Sequence, residues 1–103
     1  MQRVYGEFII DKTTSEDVVT AIKEYEVSLG LNNVPEKFVL RKLGIKTDTT
    51  CEIVINGRSF SIAADEPLEF GYDCIKVESL TFKTTDIRAI IRYMYFREDK
   101  VYQ

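Results

Sequence analysis

The sequence predicts an α+β fold: a small antiparallel β-sheet or sandwich packed by one main N-terminal helix. Three observations carry this. Apolar residues recur at helical spacing between Ser15 and Leu29, an Asn-Gly pair joins two alternating runs within residues 51–62, and isoleucine, tyrosine and phenylalanine dominate Ile87–Phe96.

Taken in order, Val4 to Ile10 reads as a short strand ending at Asp11. Thr13-Thr14-Ser15-Glu16 has the S/T-x-x-E spacing of a capping box, and Asp17 adds a second carboxylate at the positive end of a helix. Val18, Ile22, Tyr25 and Leu29 line one face of that helix, and Gly30 is placed to end it in the left-handed conformation. Asn33-Val34-Pro35-Glu36 then resembles a second helix start with Pro35 at the first helical position. Phe38, Leu40 and Leu43 would form its buried side and Gly44 its stop; an extended conformation is the alternative for this short segment.

Beyond Thr50 the period changes to two. Asn56-Gly57 suits a two-residue type I′ turn, whose two positions both need positive φ. That turn sets Ile53 opposite Phe60 and Cys51 opposite Ile62 on one face, with Glu52 opposite Ser61 and Val54 opposite Ser59 on the other. Leu68-Glu69-Phe70 is a further short strand. Ile75 to Lys83 is another, its buried phase shifting from Ile75 and Val77 to Leu80 and Phe82, which predicts a bulge near Ser79. Ile87 to Phe96 fits a helical face through Ile87, Ile90, Ile91 and Met94. It also fits a strand that turns at Thr85-Asp86 to pair Phe82 with Ala89 and Leu80 with Ile91. Its β-branched and aromatic content favours the strand.

One domain over residues 1–103 is expected, with a strand–helix–helix part at 1–49 and an antiparallel β part at 50–103. Hydrophobic residues at 45% and charged residues at 30% give a globular rather than a disordered balance. Fourteen Lys and Arg against 17 Asp and Glu leave a formal charge of −3, which offers no general attraction to nucleic acid or anionic lipid. Histidine is absent, so Ser-His-Asp and Cys-His sites and most zinc hydrolase sites cannot be built from this chain alone. Cys51 and Cys74 form neither a CxxC motif nor a zinc set, and are expected to be reduced and largely buried. The glycines match no phosphate-binding loop. The adjacent acids Glu16-Asp17 and Asp65-Glu66 are expected to serve as a cap and a turn rather than as a catalytic pair. No enzyme, no cofactor and no metal site is therefore expected. The first residues lack an apolar secretion signal and no run is long enough to span a bilayer, so a cytoplasmic or particle-bound protein is expected.

The remaining signal is the last strand. Ile87, Ala89, Ile91, Tyr93 and Tyr95 cover one face, while Ile90, Met94 and Phe96 lie on the other beside Arg92. A strand exposed on one side should be polar there, and this one is not. Either the helix Ser15–Leu29 covers the second face or another chain does. In the latter case Ile90, Arg92, Met94 and Phe96 form an interface, a composition enriched in such patches. A second reading uses Lys83, Arg88, Arg92, Arg97 and Lys100 with Tyr93, Tyr95 and Phe96 as a stacking platform for single-stranded nucleic acid or as a regulatory binding strand. The net acidity argues against nucleic acid.

The segments Ile53–Ile62, Leu68–Phe70 and Ile75–Phe82, followed by Tyr93-Met94-Tyr95, resemble small virion structural proteins of tailed bacteriophages, such as head decoration or tail-associated modules. The resemblance covers the C-terminal half. It implies a non-enzymatic protein present in many copies on a particle, contacting itself or larger virion proteins, and it carries over no binding residue.

Overall fold

The computed structural model describes residues 2–30, 34–72 and 75–97, which form one helix and two antiparallel sheets. The chain runs β1 (Gln2–Ile10), α1 (Val18–Ser28), β2 (Lys42–Thr47), β3 (Cys51–Ile55), β4 (Arg58–Ile62), β5 (Leu68–Phe70), β6 (Leu80–Phe82) and β7 (Ala89–Arg97). A four-stranded sheet has the order β1-β7-β2-β5, and a three-stranded sheet has the order β4-β3-β6. The larger sheet thus interleaves strands from both halves of the chain. One apolar core joins its inner face to α1 and the smaller sheet through Ile22, Ile45, Ile53, Leu80, Ile91 and Tyr95, among others. The helix is not long and apolar enough to cross a membrane.

The Asn-Gly hairpin forms in the expected register. Cys51 pairs with Ile62, Glu52 with Ser61, Ile53 with Phe60 and Val54 with Ser59. Asn56 and Gly57 take φ of 49° and 81°, as the turn requires. The Asn56 side chain does more than turn the chain: its amide donates to the Lys76 carbonyl at 2.5 Å, and its Oδ1 accepts from Glu78 N at 2.8 Å and Ser79 N at 3.2 Å. That clamp lies where the buried phase shifts. Val77 makes an isolated bridge to Leu40, and β6 begins at Leu80, so the expected bulge is a break between two short pairings.

Three expectations are corrected. The segment from Pro35 takes the extended alternative and not the helix, so Gly44 is no helix stop: Leu43, Ile45 and Thr47 alternate inward along β2, between β7 and β5. Sheet pairing on both sides outweighs the local Pro-Gly punctuation here. The Thr85-Asp86 turn does not pair β6 with β7. Instead Phe82 pairs with Ile53 and Leu80 with Ile55, while β7 crosses to the other sheet and pairs with both β1 and β2. Thr13 anchors this crossover: its amide donates to Ile87 O at 2.8 Å, its hydroxyl donates to Thr84 O at 3.2 Å, and its carbonyl accepts from Asp86 N at 2.9 Å. Thr13 therefore does not cap α1.

Asp17 is the cap. Its Oδ1 accepts from Val19 N at 3.3 Å and also from Leu80 N at 2.9 Å, tying the helix start to β6. At the other end Gly30 has the expected left-handed φ of 75°. The buried face of α1 is rotated from the expected one. Val18, Val19, Ile22 and Glu26 face inward, while Tyr25 and Leu29 remain exposed. Glu26 is only 3% exposed, and its carboxylate accepts from the Tyr93 hydroxyl at 2.6 Å and the Tyr95 hydroxyl at 2.7 Å. Both oxygens are thereby satisfied inside the core.

The same contact acts on the tyrosines. Burial, then the hydrogen bond to Glu26 and its charge, push both hydroxyls well above the usual tyrosine range. Since the folded values lie above the unfolded one, this stabilisation is complete below about pH 10 and is lost as pH rises towards the folded values. In an absorbance titration, two of the six tyrosines should resist ionisation until the protein unfolds in alkali. Glu26→Leu should lower stability by about 2–5 kcal/mol in urea unfolding, because two buried hydroxyls lose their acceptor. Adding Tyr93→Phe and Tyr95→Phe should recover part of that loss.

Candidate interaction face

Alternation along β7 sends Ala89, Ile91, Tyr93 and Tyr95 inward, and all four are buried. The helix lies on this side, held by Glu26, and Phe8 of β1 meets the Tyr25 ring at 5.5 Å. Ile90, Arg92, Met94 and Phe96 therefore share the opposite face, as the period of two requires, and α1 does not cover it. Cross-strand register completes this face: Ile90 lies between Ile9 and Lys46, Arg92 between Glu7 and Gly44, and Met94 between Tyr5 and Lys42, while Phe96 lies opposite Arg3.

The four expected residues are not equivalent. Met94 is 1% exposed and presents no surface of its own. Ile90 and Phe96 are half-buried, and Arg92 is exposed. The exposed large apolar groups on or beside this face are others: Tyr5 at 63%, Ile9 at 51% and Tyr72 at 42%, while Tyr25, Val27 and Leu29 are exposed on α1 and at its end. Tyr5 and Ile9 were readable from alternation with Arg3 and Glu7 along β1. Tyr72 lies beyond β5, and no period places it.

The face has three zones. At one end Tyr72 meets Phe96 edge-on at 6.0 Å, with the Arg3 guanidinium 5.0 Å from the Tyr72 ring and that of Arg41 5.6 Å from Phe96. At the other end Ile9 and Ile90 sit side by side. Between them lies a depression of about 520 Å³, lined by Tyr5, Glu7, Lys42, Gly44, Glu69 and Arg92. Two carboxylates and two cations share it, and the Arg92 Nε reaches Glu7 at 3.2 Å. Both partners are well exposed, so this pair orders the charges more than it stabilises the fold.

The Arg/Tyr platform does not assemble from Tyr93 and Tyr95, whose rings are buried and whose hydroxyls are engaged by Glu26. The acidic pairs are also occupied. Asp17 caps α1, and Asp65, at φ 61°, and Glu66 form a turn through bonds from their amides to Thr47 O and Ala63 O. Cys51 is a buried free thiol whose pKa is raised by burial, against the lowering effect of its 3.8 Å contact with the Thr47 hydroxyl; nearby Asp48 adds to the rise. That leaves little reactive thiolate at neutral pH. Cys74 and Lys100 lie outside the described residues.

No protein-family model matches the chain, and no curated protein matches it.

Two glycines on opposite faces of the sheet offer a direct test of this geometry. A Cβ at Gly44 would meet Arg92 Cβ and Glu69 Cγ at 3.9 Å and the Arg92 carbonyl oxygen at 4.0 Å, all ordinary contacts, whereas a Cβ at Gly6 would overlap the Tyr93 ring. Gly44→Thr should leave stability in urea unfolding unchanged or raise it by up to about 1 kcal/mol. Gly6→Ala should lower stability by about 1–3 kcal/mol.

Proposed function

We propose that this chain is a non-enzymatic assembly protein, a component of a bacteriophage virion, that works by pressing the outer face of its larger sheet against another protein chain. One observation carries the reading. Ile9, Ile90, Tyr5, Phe96 and Tyr72 lie on or beside one sheet face, on the side away from α1. Among the described residues neither α1 nor the smaller sheet, which both join the core on the inner side, covers that face.

The surface has the make-up of a contact patch: aromatic and aliphatic groups at its ends, with Arg, Lys and Glu around the central depression. Its apolar zones favour close packing, and the charged saddle favours a partner whose charges match. The likeness of the C-terminal half to small virion proteins supplies the setting, a particle in which one weak contact repeats many times.

Light scattering of the purified chain over a concentration series tests the reading. The weight-average mass should rise with concentration, and Ile90→Asp should reduce that rise at unchanged circular dichroism. A mass independent of concentration and identical in both proteins would overturn the assembly reading. Salt-sensitive binding of a single-stranded oligonucleotide, lost in Arg92→Ala, would replace it with the nucleic-acid reading.

A further inference from the structure

We propose that β1 is a self-complementary edge, and that a second copy of this chain pairs with it antiparallel across a two-fold axis at Tyr5, joining two four-stranded sheets into one of eight strands. This goes beyond the face contact above and does not depend on it.

β1 stands at the end of its sheet. All nine of its residues pair with β7, and among the described residues nothing pairs with its other side. Edge strands usually carry protection: brevity, proline, lysine or a bulge. The opposite edge, β5, has only three residues, and the edges of the smaller sheet, β4 and β6, have five and three. β1 has nine, Gln-Arg-Val-Tyr-Gly-Glu-Phe-Ile-Ile, without proline or lysine and in unbroken register with its neighbour.

Its two charges choose the partner. Arg3 and Glu7 lie four residues apart on the outer face, two on either side of Tyr5. An antiparallel copy must keep outer residues opposite outer residues, since a one-residue slip reverses every side chain. Of the registers that do so, centring on Arg3 or Glu7 sets like charges against each other, and centring on Val4 or Gly6 leaves Arg3 and Glu7 facing other residues. Centring on Tyr5 sets Arg3 opposite Glu7 of the second copy, and Glu7 opposite its Arg3. In that arrangement each Glu7 lies between its own Arg92, 3.2 Å away, and the incoming Arg3. The two Tyr5 rings, each now 63% exposed, meet at the axis. On the inner face Val4 lies opposite Gly6, over which the Tyr93 ring of that copy is laid. The charges that would repel a random strand thus match a second copy twice, the isologous pattern of a two-fold interface.

The test is a charge exchange. In native mass spectrometry the wild-type chain should give a dimer, while Arg3→Glu and Glu7→Arg should each be monomeric. Mixed together, these two variants should form a heterodimer, because each Glu then faces an Arg. In a Cys74→Ser background, Tyr5→Cys should oxidise to a disulfide-linked dimer and Ile9→Cys should not, since only Tyr5 meets itself. The dimer should persist in Ile90→Asp, which alters the face and leaves the edge intact. A monomeric wild-type chain, single variants that remain dimeric, or a mixture that fails to pair would each overturn the proposal. A dimer that survives the exchanges but is lost in Ile90→Asp would assign association to the face instead.

Discussion

The carboxylate of Glu26 decides which side of the larger sheet is covered. It sits in the core with no cation among its hydrogen-bond partners, held by the hydroxyls of Tyr93 and Tyr95. Burying such a group is costly unless both oxygens find donors, and the hydroxyls of Tyr93 and Tyr95 supply one to each. An apolar side chain at this position would tolerate many rotations of the helix. Glu26 tolerates one, and that rotation turns Val18, Val19 and Ile22 inward and leaves Tyr25 and Leu29 outside.

Gly6 belongs to the same arrangement. Tyr93 lies across the position a side chain would take at Gly6, so the ring that reaches Glu26 depends on the bare backbone of the edge strand beside it. Gly44 serves the other surface. There the missing side chain deepens the saddle between Arg92 and Glu69 without any crowding that would demand glycine. One glycine is needed for packing, and the other shapes a surface.

The contrast between what could and could not be read in the residues follows sequence distance. The hairpin of β3 and β4 was legible to the residue because its turn and both its strands are adjacent in the chain and agree with each other. β2 kept two readings because Pro35 and Gly44 imitate helix boundaries, while the alternation of Leu43, Ile45 and Thr47 gains its meaning only from strands β5 and β7. β7 was recognisable as a strand, but not its neighbours, which lie far away in the sequence. Ile90, Arg92, Met94 and Phe96 share one face, as the period of two implies. Alternation says nothing about depth, and so could not show that Met94 is sealed while Tyr5 and Ile9 stand exposed. Glu26 was missed because a glutamate in a helix ordinarily faces water. The inward tyrosine tips, each needing an acceptor, were the available clue.

The pairing of β1 with β7 also bears on how the chain is made. Ile10 leaves the ribosome 87 residues before Arg97. At about 5–20 residues per second, the first strand therefore waits roughly 4–17 s for the central strand that will bind it. The β3–β4 hairpin needs no such delay, and α1 can begin to wind as soon as it emerges. The larger sheet, by contrast, closes from its middle only when synthesis reaches β7, and until then its longest edge strand is an unattached ribbon. A nascent chain of this topology should gain from a chaperone that shields residues 2–10 until translation passes Arg97.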